Sequence, residues 1–198
     1  MPDANLDLAA KGAVWGAFTN CGQVCASVER VYVHKSVAPK FIEKVVDEAK
    51  KLRIGPYTSD AVDVGPMVNE GQLQTAEDHV RDAVGKGAQV LLGGKKPGQK
   101  GFFYEPTVLV NVNHQMKCMS EETFGPLLPI ATYETDDEAV SLSNDSNYGL
   151  TASVWGKDRK KAEAIAARID AGTVCVNDHA YTYGLTDTRR RGLHGLSG

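Results

Sequence analysis

Residues 18–34 read FTNCGQVCASVERVYVH, and their periodicity changes in the middle. Upstream, Leu6, Ala9, Ala10, Ala13 and Ala17 recur at helical spacing behind Asp3 and Asn5, either of which can cap a helix. Downstream, Val28 to His34 is rich in Val, contains Tyr32 and reads as a strand. Between them Phe18-Thr19-Asn20-Cys21-Gly22-Gln23-Val24-Cys25 forms a short connection, in which Gly22 permits a close turn that a larger residue would obstruct. Such a turn can expose a reactive side chain. Cys25 can attack a carbonyl carbon where local amides or a positive group favour its thiolate. An ordinary buried cysteine is the alternative that these residues alone leave open.

Working outward, helix and strand patterns alternate, which points to an α/β fold with a mostly parallel sheet flanked by helices. From Ser36, Phe41, Val45, Ala49 and Leu52 form an apolar stripe opposite Glu43, Lys44, Asp47, Glu48 and Lys51, and Gly55-Pro56 stops that helix. A third helix is expected over about Glu70 to Lys86, then a short strand over Gln89 to Leu92. Gly93 to Gly101, GGKKPGQKG, reads as a solvated connection, because the order of a phosphate-binding loop is absent. Phe102 to Val110 reads as a strand that Pro106 interrupts, and another ends near Tyr133. Thr135 and Glu138 have capping-box spacing. Strands around Thr151 to Trp155 and Thr173 to Val176 flank a helix from about Asp158 to Ile169.

With 198 residues, 42% of them hydrophobic, the chain can bury a substantial core. Its 22 basic and 25 acidic residues give a net charge of −3 with mixed signs, so no electrostatic case exists for nucleic acid or an anionic bilayer. No run approaches the roughly 20 apolar residues needed to span a membrane, and MPDANLDLAA lacks the pattern of a secretory signal. A cytosolic setting is the expectation. Cys21, Cys25, Cys118 and Cys175 are too sparse for a disulfide scaffold, and reduced thiols are expected. No close cysteine pair answers Cys21 and Cys25, and the five histidines are scattered, so no metal site is expected.

The segment FTNCGQVCASVERVYVH resembles the catalytic-cysteine segment of the aldehyde dehydrogenase superfamily, with Cys25 at the nucleophile position. Glu121-Glu122-Thr123-Phe124-Gly125-Pro126 resembles its EExFGP segment, and DANLDLA, GPMVNEGQLQ, YGLTASVWGKD and AGTVCVN follow the family's order. The resemblance runs from about Asp3 to Asn177 and lies nearest to members acting on lactaldehyde, succinate semialdehyde or betaine aldehyde.

The resemblance implies a fold of the family's catalytic-domain type over residues 1–177, with an atypical tail over 178–198. It implies attack of Cys25 on an aldehyde, hydride transfer to NAD or NADP, and hydrolysis of the resulting thioester. The Cys25 amide would stabilise the developing oxyanion. Glu122 would meet the ribose hydroxyls beside nicotinamide, and Phe124 would position the ring or ribose. Asn20, Gly22 and Gln23 would support the nucleophile loop.

Asn177, His179, Tyr181 and Tyr183 are candidates for the aldehyde pocket; turn formation by Asn177 and packing by the aromatic residues are the alternatives. Trp15 and Trp155 read as packing residues. The family's general base, its Rossmann-type cofactor region and its oxyanion Asn precede the first residue of this sequence. Glu29 and Glu122 are not substitutes for that base. TDTRRRGLHGLSG, with Arg189, Arg190 and Arg191, departs from the family's later phrases. Residues 1–198 alone are therefore expected to be poorly active, with a complementary N-terminal domain or a homo-oligomer as partner. A noncatalytic assembly module and a vestigial thiol esterase are the alternative functions.

Overall fold

The computed structural model describes residues 1–58 and 61–179. Helix α1, Leu6–Phe18, begins at Asn5, whose side-chain oxygen accepts the Asp7 and Leu8 amides at 3.2 and 3.3 Å. Asp3 does not cap this helix; it accepts the Asp158 amide at 2.7 Å and pins the N-terminal segment to a later turn. Strand β1 spans Val31–His34, three residues shorter at its start than the Val pattern suggests. The Val28 amide donates to the Gly16 carbonyl at 3.1 Å, so the chain is still tied to α1 there.

Helix α2, Ala38–Ala49, carries Pro39 in its first turn, where a missing N–H costs nothing. Helix α3, Glu70–Gly85, is capped by Asn69, which accepts the Gln72 amide at 2.8 Å. Then follow β2, Gln89–Leu92; β3, Thr107–Val110; the short helix α4, Lys117–Ser120; and β4, Leu127–Tyr133. The β3 ladder begins directly after Pro106, so the strand is half the length read from Phe102. Pro129 lies inside β4, opposite Leu109 of β3 but before the β1 ladder begins at Ile130. A proline that faces a neighbour on one side only leaves the second ladder intact.

Helix α5, Asp136–Asn144, starts at Thr135, whose hydroxyl accepts the Glu138 amide at 3.2 Å. Glu138 reaches back one residue further than a capping box requires and accepts the Glu134 amide at 2.7 Å. Strand β5, Thr151–Val154, helix α6, Arg159–Ala166, and strand β6, Thr173–Val176, complete the described elements.

The four-stranded sheet has the order β1-β4-β3-β2, parallel throughout except for β2 at its edge. Strands β3 and β4 are buried almost continuously, as expected where helices cover both faces. Leu109, Leu128 and Ile130 are at most 1% exposed, and each such side chain contributes roughly 2 kcal/mol of burial. A separate parallel pair, β5 and β6, packs under α6 around Val140, Val154, Ala162 and Ile165. Thus the mixed α/β architecture has a mostly parallel sheet flanked by helices. Among the described residues no helix is long and apolar enough to cross a membrane.

Candidate active site

Helix α1 stops at Phe18, and the chain turns through three successive left-handed residues, Asn20 (φ 52°), Cys21 (φ 60°) and Gly22 (φ 70°). For the two that carry a Cβ this conformation costs about 1–2 kcal/mol each, so the surroundings must hold it. Asn20 donates through Nδ2 to the Gln23 carbonyl at 3.1 Å, and the Gln23 amide returns a bond to the Asn20 carbonyl at 3.2 Å. The Gln23 side chain accepts from the Val68 amide at 2.7 Å and donates to the Pro66 carbonyl at 3.3 Å, anchoring the turn to the segment before α3. At Gly22 a Cβ would lie 2.1 Å from the Gly125 carbonyl oxygen, so only glycine fits against that backbone.

The turn separates two cysteines. Cys21 is fully buried with Sγ 3.4 Å from Met67 Sδ, and burial pushes its thiol up to about 12. Cys25 is exposed. A nucleophile needs both access and thiolate character, and burial withholds both from Cys21.

Facing this turn is the 121–125 loop, in which Phe124 also has a left-handed backbone (φ 47°). Its peptide groups are held by side chains. The Glu29 carboxylate accepts the Thr123 amide at 3.0 Å and the Phe124 amide at 2.9 Å, one on each oxygen. From α3, Gln72 donates to the Thr123 and Phe124 carbonyls at 2.7 and 3.3 Å. Buried His79 places Nδ1 3.0 Å from the Thr123 hydroxyl and Nε2 3.5 Å from a Glu121 oxygen. Burial raises the Glu29 carboxyl above its ordinary value, against the opposing pull of the two amides. Burial likewise lowers His79, with Glu121 opposing.

Glu122 is exposed at the tip of this loop and makes no hydrogen bond or ion pair among the described residues. It lines, together with Cys25, Ser27, Glu29, Trp155 and His179, a groove bordered by β1 and β5. Two of the residues that carry the chemical expectation, Cys25 and Glu122, therefore meet in one depression. An exposed carboxylate lining a groove is a suitable acceptor for a vicinal diol. Asn20, Gly22, Gln23 and Phe124 are not among the residues that line the groove.

Asn177 follows β6 with a left-handed backbone (φ 56°). Its side chain accepts the Gly156 amide at 2.9 Å and donates to the Gly156 carbonyl at 2.8 Å, tying the ends of β5 and β6. Its amide is thus engaged with backbone. His179 is buried, hydrogen-bonded to the Ala26 backbone next to Cys25, and set edge-on to Trp15 with ring centroids 6.3 Å apart. Trp155 packs across Gly12 of α1, whereas Trp15, expected to be buried, is 44% exposed at the helix's outer face. Tyr181, Tyr183 and Arg189 to Arg191 lie outside the described residues. Among the described residues no three His, Cys, Asp or Glu side chains are grouped to hold a metal ion.

Sequence reasoning missed the clamps on the 121–125 loop. Glu29 signals itself only as an acid just ahead of an otherwise apolar strand, and His79 only as a polar residue on the apolar stripe Leu73, Ala76, Val80 and Ala83.

A family model described as the aldehyde dehydrogenase family matches residues 1–187. A Mycobacterium ulcerans protein bearing the name succinate-semialdehyde dehydrogenase (NADP+) 2 is 45% identical over 196 residues, covering 98% of this chain and 38% of that protein. An Arabidopsis thaliana chloroplastic aminoaldehyde dehydrogenase is 39% identical, over 88% of this chain and 35% of its own length. Among solved structures, the aldehyde dehydrogenase PutA of Anabaena variabilis superposes with a TM-score of 0.93 at 38% identity, over 98% of this chain and 42% of that one. A betaine aldehyde dehydrogenase from Staphylococcus aureus, solved in complex with NAD+, superposes with a TM-score of 0.86 at 36% identity, over 89% and 36%.

Proposed function

Because the chain belongs to the aldehyde dehydrogenase family, we propose that it forms the thiol-bearing part of an enzyme oxidising a small aldehyde to a carboxylic acid. The observation that carries this reading is the shared groove, lined by both the exposed Cys25 and the exposed Glu122, whose carboxylate has no partner among the described residues. The chain spans 38% of the first curated relative and 42% of the first structural one, so the complete reaction is proposed for an assembly that includes the remainder.

In this mechanism the Cys25 thiolate attacks the aldehyde carbon; the carbon–sulfur bond forms and the carbonyl electron pair moves to oxygen. The Cys25 amide donates to that oxyanion, where a preorganised donor acts most strongly. NAD or NADP, when bound, supplies the hydride acceptor. Glu122 would accept the ribose hydroxyls of that cofactor and Phe124 would back them. Loss of hydride leaves a thioester on Cys25, and water cleaves it to release the acid and restore the thiol. Neither Glu29, occupied by two amides, nor Glu122, occupied by ribose, serves as the base for that water. A base for that water would come from the remainder of the assembly. Free thiols at all four cysteines fit a reducing, cytosolic compartment.

The test is intact-mass detection of an aldehyde- or acyl-derived adduct, with Cys25→Ala as control and a complementary N-terminal half plus NAD or NADP supplied in parallel. An adduct on wild type that disappears in Cys25→Ala, with nicotinamide reduction once the other half is present, supports the proposal. Equal labelling of both proteins, or no hydride transfer in the completed assembly, refutes it.

A further inference from the structure

Glu29 sits four residues beyond Cys25 on the same strand-bound segment, yet both its carboxylate oxygens are spent on another loop, at the Thr123 and Phe124 amides. Two successive N–H groups converging on one anion form a backbone nest. Phe124 at the end of that nest has φ 47°, a conformation that a side chain rarely adopts unless neighbours enforce it. The residue whose aim depends on this backbone is Glu122, directly before the two clamped amides.

We propose that Glu29 is a positioning residue for nicotinamide-ribose binding: by clamping the Thr123 and Phe124 amides it fixes where Glu122 points relative to Cys25. This rests on the reading of Glu122 as the ribose acceptor. Gln72 holds the carbonyl side of the same peptides from α3, so the loop is gripped from both faces. Among the described residues, Glu29 supplies the side-chain hydrogen bonds from the nucleophile's own segment to the amides of this loop, beside the close packing of Gly22 on the Gly125 carbonyl. The role involves no proton transfer. An amide in place of the carboxylate keeps the shape but turns an NH2 group toward one of the two donors, leaving that N–H unpaired.

The experiment uses the full chain and β-nicotinamide mononucleotide, which carries ribose and nicotinamide without adenosine. Affinity is followed by NMR titration, and hydrogen exchange is read at the Thr123 and Phe124 amides. In Glu29→Gln both amides should exchange about tenfold faster and the mononucleotide should bind about tenfold more weakly, the scale of one lost charge-assisted hydrogen bond. Glu29→Asp, with a shorter reach, should fall between Glu29→Gln and wild type. Val45→Ala, a fully buried position on α2, provides a matched loss of stability that should leave mononucleotide affinity unchanged.

Wild-type affinity in both Glu29 variants, or losses equal to that of Val45→Ala, overturns the positioning role while leaving the Glu122 reading intact. If wild type does not bind the mononucleotide, or if Glu122→Gln binds it as well as wild type does, the Glu122 reading falls and takes the positioning role with it.

Discussion

Three residues separate Cys21 from Cys25, and the left-handed turn at their start gives them opposite chemistry. Burial holds the Cys21 thiol near 12 and seals it against Met67, whereas Cys25 is open to the groove. Iodoacetamide at neutral pH should therefore modify Cys25 first, with Cys21 and Cys118 protected until unfolding; peptide mapping after timed alkylation reads this directly. Early labelling of Cys21 would contradict the turn. Gly22 is the second critical residue, because its added Cβ would meet the Gly125 carbonyl at 2.1 Å. Gly22→Ala should lower stability by about 2 kcal/mol or more, from left-handed strain plus the displaced carbonyl, measured by urea unfolding. That glycine was legible in the sequence as a turn former. The carbonyl it must accommodate, about a hundred positions away, was not, since nothing in a linear spacing specifies which backbone will approach.

Helix α3 carries two messages on one face. Leu73, Ala76, Val80 and Ala83 bury it, and Gln72 and His79 use the same face to hold the 121–125 loop. His79 titrates below its ordinary value of 6.5 because burial disfavours the cation, with Glu121 and Asp82 opposing that shift and Lys117 adding to it. A depressed folded-state value means that the unfolded chain takes up the proton first. Stability is then full above pH 6.5 and declines as pH falls through the lowered folded value. Urea midpoints measured from pH 8 to 5 should drop with a slope of at most about 1.4 kcal/mol per pH unit for one proton. In His79→Asn that slope should shrink to the part left by His179, whose value burial also lowers, and an unchanged slope would assign the loss to other groups. The helix itself was readable from its apolar stripe, whereas its Asn69 cap came only with the structure. Its loop-holding role was hidden because a polar residue within a stripe gives no sign of its partner.

At the scale of the molecule, Cys25 and Glu122, from segments nearly a hundred residues apart, both line the groove bordered by β1 and β5. The chain spans well under half of its relatives, so aldehyde-dependent reduction of NAD or NADP should be negligible for residues 1–198 alone. It should rise by orders of magnitude when a complementary N-terminal half is added, as expected where catalysis needs several groups held together. Spectrophotometry at the nicotinamide absorbance with and without that half is the check; full activity of the isolated chain would refute this division of labour.

Local pattern determined the alternation of helix and strand, the caps at Asn5 and Thr135, and Cys25 as a thiol beside a tight turn, because period and side-chain chemistry are local properties; the candidacy of Glu122 came from the family resemblance of the motif around it. The later start of β1 at Val31, the tolerance of Pro129 inside β4, the engagement of Asn177 with Gly156 and the grip of Glu29 on the Phe124 backbone were decided only by tertiary structure. Each depends on which peptide group arrives from a distant segment. A hydrogen bond has to be satisfied wherever a polar group is buried, but only the packed chain determines by whom.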